Sequence, residues 1–285
     1  MRKRLKRTIA IVATVLILSS TGLLYSFYKT LLIPSCGKKV TDEALLYYEK
    51  VGDQLEAWLD QTGETLAIIG RKGQDLEKHG MIYSHLAFVK KEAHGWFVYH
   101  LLNACPTDVG ELHRENLAHF FKVTNAPHSV SIVIPERDIQ AKLSTLLDNP
   151  DAIAPLFETD YSAVASPFNA ITQNSNGWIL EVYAKALDPN ITTRRDAANF
   201  LRTADYQPMA LYKGTIYQWV SKTFIPNITL KDHDAENLKA GRIEFNSAES
   251  VMQFIARKSL PISHCTAPFE AVHANACEVK NAPAP

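Results

Sequence analysis

From Thr8 to Tyr28 the chain carries no charge, and this run follows five cations, Arg2, Lys3, Arg4, Lys6 and Arg7. Twenty-one uncharged residues rise about 30 Å as a helix, the thickness of a bilayer's hydrocarbon core. The basic flank holds the N-terminus in the cytoplasm, so everything after the run is exported. Two outcomes stay open. Leu23, Leu24, Tyr25 and Phe27 extend the apolar stretch and favour a retained signal anchor, whereas Ser19-Ser20-Thr21-Gly22 suit a cleaved signal peptide. Retention gives a single-pass inner-membrane protein with a cytoplasmic N-terminus, and cleavage gives a periplasmic one.

Export places the four cysteines in an oxidising compartment, where disulfides are the expected state. Three pairings are possible. Cys265 and Cys277 close a short loop, which leaves Cys36 with Cys105. Pro34 argues against acylation of Cys36. The net charge is zero and the cations after Arg7 are dispersed, so no basic face for nucleic acid is expected.

The exported part mixes two periodicities. Asp42–Gln61 reads as an amphipathic helix with Leu45, Leu46, Val51, Leu55, Trp58 and Leu59 on one side. Thr65–Ile69, Ile82–Val89, Trp96–Leu102, Ser129–Pro135 and Arg242–Phe245 read as strands. Leu112–Val123, Glu136–Leu147, Trp178–Leu187 and Ser250–Ala256 read as helices. Without regular βαβ spacing the expected class is α+β, an antiparallel sheet with packed helices behind one transmembrane or signal helix. The expected divisions are a targeting segment (1–35), a core (36–190), a helical/α+β extension (191–262) and a tail (263–285).

Candidate chemistry lies on the hairpin. Tyr83, His85, Ala87 and Val89 alternate onto one face, as do Trp96, Val98, His100 and Leu102. Pairing Val89 with Trp96 sets His85 opposite His100. A slip of two residues keeps them on one face, and a slip of one separates them. Two adjacent imidazoles can serve as a base and its orienter, or as ordinary core residues. A metal would need a third ligand. Asp75, His79 and His94 are the nearest candidates and none has ligand-like spacing, so no metal or other cofactor is expected. A third element, Gln173-Asn174-Ser175-Asn176-Gly177, opens the Trp178 helix. A nucleophile there gains from free N–H groups and the helix dipole, while Asn174 or Ser175 equally reads as an N-cap.

Tyr83-Ser84-His85, Val98-Tyr99-His100-Leu101 and Asn174-Ser175-Asn176 together resemble the permuted papain-like NlpC superfamily, which includes lecithin:retinol acyltransferase and the H-Rev acyltransferases. That resemblance implies a permuted papain-like fold with His85 as base, His100 as its orienter and Ser175 in the nucleophile's position. Those relatives use cysteine, so Ser175 implies either a serine-based hydrolase or acyltransferase, or a silent cleft. Cys105 is a poorer nucleophile candidate, being followed by Pro106. A second resemblance, carried by Gly70-Arg71-Lys72-Gly73-Gln74-Asp75-Leu76, Tyr83-Ser84-His85, His100-Leu101-Leu102-Asn103 and Tyr161 through Asn176 with Trp178 and Glu181, is to a bacterial domain of unknown function, family 2145. Beside His85, Arg71, Gln74, Tyr83 and Asn174 are the candidate substrate-binding residues. The expected function is an envelope hydrolase or acyltransferase acting on a peptidoglycan amide or a lipid ester. The alternative is an inactive envelope-binding or assembly protein.

Overall fold

The computed structural model describes residues 41–73, 76–105, 107–122, 129–258 and 263–268, with the side chains of 78, 129, 220, 222–224 and 263–268 left aside. The targeting segment, Gln74, Asp75, Cys36 and Cys277 fall outside these residues, and so does the side chain of Cys265. Among the described residues no helix is long and apolar enough to cross a membrane.

Helix α1 (Asp42–Thr62) starts where the Thr41 hydroxyl accepts the Ala44 N–H at 3.2 Å, and it stops at Gly63, whose φ of 69° closes the last turn. Three antiparallel strands follow, β1 (Leu66–Arg71), β2 (His85–Glu92) and β3 (Gly95–Asn103). Next come β4 (Gly110–Asn116), α2 (Leu117–Lys122), β5 (Ser129–Ile134) and α3 (Arg137–Leu147). A short α4 (Pro150–Ile153) leads through an irregular stretch to α5 (Ser175–Leu187) and α6 (Arg194–Thr203). The rest is β6 (Met209–Tyr212), α7 (Thr215–Phe224), α8 (Ala235–Lys239), β7 (Arg242–Phe245), α9 (Ala248–Lys258) and β8 (Ser263–Pro268).

The main sheet runs β4-β3-β2-β1-β5-β8 with every neighbour antiparallel, and β6 and β7 form a separate ribbon. Helices cover both sheet faces, which is why all six residues of β1 are buried instead of alternating with solvent. One face (Ala67, Ile69, Ala87, Val89, Val98) packs on Leu55 and Leu59 of α1 and Phe120 of α2. The other (Leu66, Ile68, Leu86, Phe88, Leu101) packs on α3, α5, α6 and α9. The α+β class and the antiparallel sheet with packed helices are those of the sequence reading.

Two expectations need correction. Leu112–Val123 is not one helix: Leu112–Asn116 is strand, since β4 completes the free edge of β3, and Leu117–Lys122 is helical. Its alternating charges suit an edge strand with one face in water. Leu46 is 67 % exposed, its place on the apolar stripe taken by the buried Tyr48. The cluster on the Leu86 face also takes in Leu201, Val251 and Phe254, and β8 pairs with β5.

Candidate functional site

The β2–β3 hairpin turns through Ala93 and His94, and its register pairs Val89 with Val98 and Lys91 with Trp96. That is a slip of two residues from the expected pairing, so the two histidines are diagonal instead of opposite. The even slip leaves both on one face, and the His85 Nε2 to His100 Nδ1 distance is 2.8 Å. On the far side of His100, its Nε2 meets Oε1 of Glu115 at 3.0 Å. Glu115 stands on β4, directly across from Val98. A carboxylate, an imidazole and a second imidazole therefore form a continuous chain.

Burial sets the charge state. His100 is fully buried and His85 is 5 % exposed. Burial first, then the nearby Arg71 and His100 charges, holds the His85 pKa well below the usual imidazole value. Burial also holds His100 below it, against the hydrogen bond from Glu115. Burial alone would raise the Glu115 carboxyl. Its bond to His100, with the charges of His100, His119 and Arg71, outweighs that and leaves the pKa lowered. Neutral imidazoles then have one consistent proton order, assigned from the network: His100 Nε2–H donates to Glu115, and His85 Nε2–H donates to His100 Nδ1.

Arg71 faces the same side, paired across the strands with His85. It is 2 % exposed, its guanidinium lies 4.3 Å from the Phe120 ring centre, and its Nε and Nη1 have no hydrogen-bond partner. Burial pushes its pKa down to about 10, with Glu115 pulling the other way. The Phe120 ring also touches both imidazoles, at centroid distances of 5.7 Å to His85 and 5.3 Å to His100. Arg71 and the two imidazoles thus sit under α2.

Ser175 does not join them. Its helix α5 packs on the face that carries Leu86 and Phe88, with Trp178 5.7 Å from the Phe88 ring. His85 and Leu86 are consecutive in β2 and point to opposite sides. Ser175 instead lies against the Tyr161 phenol, whose pKa burial raises while the Ser175 hydroxyl and backbone draw it down. The relay and the body of α5 therefore pack on opposite faces of the sheet, and the hydrogen bond of Ser175 is with Tyr161 and not with either imidazole. Asn174 is the N-cap, its Oδ1 accepting Gly177 N–H at 2.7 Å, and its amide donates to the carbonyls of Ala163 and Asn246. Tyr83 precedes β2 and packs with the Leu86 face, away from His85.

Cys105 is disulfide-bonded and no described cysteine is free, so no thiol is available among them. The expected pairings themselves rest on side chains outside the described set. Among the described residues no group of three His, Cys, Asp or Glu is placed to hold a metal.

Two residues that hold this region together had no assigned role in the sequence reading. Glu115 was hidden by the helix assignment, although Glu111, His113 and Glu115 alternate as a strand should. Asn176 inserts its Oδ1 onto the Leu86 N–H at 3.0 Å, where β2 has no partner from β3, and nothing in its spacing marked it. Behind this loop, Glu181 and Arg194 form a buried ion pair at 2.8 Å, shared with Gln173 Nε2. No curated protein and no solved structure matches this chain. Residues 58–255 match the family described as "Uncharacterized protein conserved in bacteria (DUF2145)". That stretch holds both histidines, Glu115, Arg71 and the α5 loop, and the chain belongs to this family.

Proposed function

We propose that this chain is an exported envelope-binding or assembly protein built on a permuted papain-like core that has lost its nucleophilic chemistry. One observation carries the reading: the imidazole pair packs under α2, α5 packs on the other face of the sheet, and Ser175 hydrogen-bonds Tyr161 instead of an imidazole. A general base must come within hydrogen-bond reach of the hydroxyl it activates, and no such hydrogen bond joins Ser175 to either imidazole. The chain order supports the papain-like ancestry, with a histidine strand, a second histidine strand and then a helix opening at Asn174-Ser175. The charge-free run from Thr8 to Tyr28 supports export and attachment to the membrane, or release to the periplasm after cleavage.

In this reading the Glu115–His100–His85 chain fixes the hairpin against β4. Two buried imidazoles and a partly buried carboxylate satisfy one another across three strands, so the register is specified more tightly than apolar residues would specify it. The hydrolase or acyltransferase reading draws on the same relay, which has a triad's geometry and lacks only the nucleophile.

Sedimentation with insoluble peptidoglycan separates the two. The full chain, in detergent, should pellet with sacculi and release no soluble fragments on prolonged incubation. Release of amide-cleaved fragments that disappears in Ser175→Ala would refute the proposal.

A further inference from the structure

Four of the ten large apolar side chains exposed among the described residues, Tyr212, Ile216, Tyr217 and Trp219, lie within eight consecutive positions. Single exposed apolar residues are ordinary on a protein surface, whereas a local concentration of them marks a contact. The patch covers the end of β6 and the first turns of α7.

The helix is turned inside out. A surface helix normally buries its apolar stripe and shows its polar one. Of the described side chains of α7, the buried ones are the polar Gln218 and Ser221, whereas Ile216 is 82 % exposed and Trp219 is 54 % exposed. The Gln218 amide donates to the carbonyls of Lys213 at 2.9 Å and Leu238 at 3.0 Å, so hydrogen bonds seat this side of the helix. Ile216 and Trp219, three positions apart, are neighbours on the outer side.

Charge and side-chain type name the occupant. A recess of about 310 Å³ opens beside Tyr212, between Lys213 and Lys239. Lys239 pairs with Glu236 at 2.7 Å, and Arg242, across from Tyr212 on β7, pairs with Glu244 at 2.7 Å. Lys213 forms no ion pair with a described residue, and its Nζ lies 4.9 Å from the Tyr217 ring centre. The charge left over among these groups is positive. Protein interfaces deplete lysine at their core, and two copies joined through this patch would each bring a Lys213 to it. Tyrosine and tryptophan beside lysine suit the membrane–water interface, where the rings enter the acyl boundary and the ammonium reaches the phosphates. Where the Thr8–Tyr28 run stays in the bilayer, residues 29–41 reach at most about 45 Å fully extended, so α1 starts near the same surface.

We propose that the tip formed by β6 and α7 rests on a bilayer containing anionic phospholipid, with Tyr212, Ile216 and Trp219 in the headgroup–acyl boundary and Lys213 at the phosphates. The folded part thus makes a membrane contact of its own. This goes beyond the envelope-binding reading, from which it takes only attachment through the N-terminal run.

Tryptophan quenching tests it, with the full chain reconstituted into vesicles whose lipids carry brominated acyl chains. The part of the emission that Trp219→Phe removes reports this site, because Trp58, Trp96 and Trp178 remain in the variant. That part should be quenched, and more strongly in vesicles containing phosphatidylglycerol than in phosphatidylcholine alone. Ile216→Glu, at an exposed position, should abolish the quenching, with thermal melting as the check that it folds. No quenching of the Trp219 part, quenching indifferent to phosphatidylglycerol, or quenching unchanged in Ile216→Glu would overturn the proposal. A dimer in detergent that Ile216→Glu converts to a monomer would give the face to a second copy and overturn it too. If sacculi pellet the chain while Trp219 stays unquenched, the membrane surface alone fails. If Trp219 is quenched and sacculi do not pellet the chain, the envelope reading alone fails.

Discussion

At the scale of single residues, the buried imidazoles make stability depend on pH. Both folded-state values lie below the ordinary imidazole pKa of 6.5. Above pH 6.5 neither the folded nor the unfolded state holds the extra proton, and stability is complete. As pH falls below 6.5 the unfolded chain takes up protons that the folded one refuses, so stability drops by up to about 1.4 kcal/mol per pH unit for each imidazole. Glu115 acts in the same direction lower down. Its depressed value gives stability that is present above pH 4.5 and lost as pH falls through the folded pKa. Urea midpoints measured from pH 7.5 to 5 should therefore decline, and His85→Gln should flatten the decline. A flat wild-type profile would mean that the imidazoles are charged or exposed. Arg71 allows a second test. Its charge is the second cause of the low His85 value, so Arg71→Met should raise the His85 pKa, followed by NMR, while burial keeps it below 6.5. Because the guanidinium lacks hydrogen bonds, the same change should leave stability equal or higher. A loss above about 2 kcal/mol would show that the cation has a stabilising role.

At the scale of elements, the long amphipathic helix, five of the strands (β1, β2, β3, β5 and β7) and the α5 helix were legible because their apolar spacing is strong. The hairpin was legible in parity and not in register: Tyr83-to-Val89 alternation fixes which residues share a side, whereas turn length decides which residues meet. Here a two-residue turn through Ala93 and His94, with Gly95 at φ 125°, replaced the longer one expected. β4 was not legible, since Gly110–Asn116 becomes a strand only by completing the edge of β3, and that edge is a tertiary fact. The missed strand took Glu115 with it. Asn174 or Ser175 was expected as the N-cap of α5, and the Gly177 N–H bond to Asn174 Oδ1 identifies Asn174 as that cap. Asn174→Ala should cost about 0.5–2 kcal/mol in urea denaturation. Gly177→Ala should cost about 1–3 kcal/mol, because a Cβ there would come within 2.8 Å of Asn246 Nδ2 and 2.9 Å of Asn174 Oδ1. Unchanged midpoints in both would show that the α5 entrance is looser than described.

For the whole molecule, the sheet acts as a partition. The relay and Arg71 belong to the layer under α1 and α2, and the Asn174–Asn176 loop belongs to the layer of α3, α5, α6 and α9. Motif order along the chain cannot reveal this, because one strand presents neighbouring residues to both layers. The second layer is locked by Glu181 and Arg194, which join α5 to α6 and to the Thr172 carbonyl. Glu181→Ala leaves the Arg194 cation buried and should cost about 3–5 kcal/mol. The most direct test of the partition is labelling of the full chain with a fluorophosphonate probe, compared among wild type, Ser175→Ala and His85→Ala. The split site gives no labelling that depends on either residue. Labelling of the wild type that vanishes in both variants would place Ser175 within reach of His85 and contradict it.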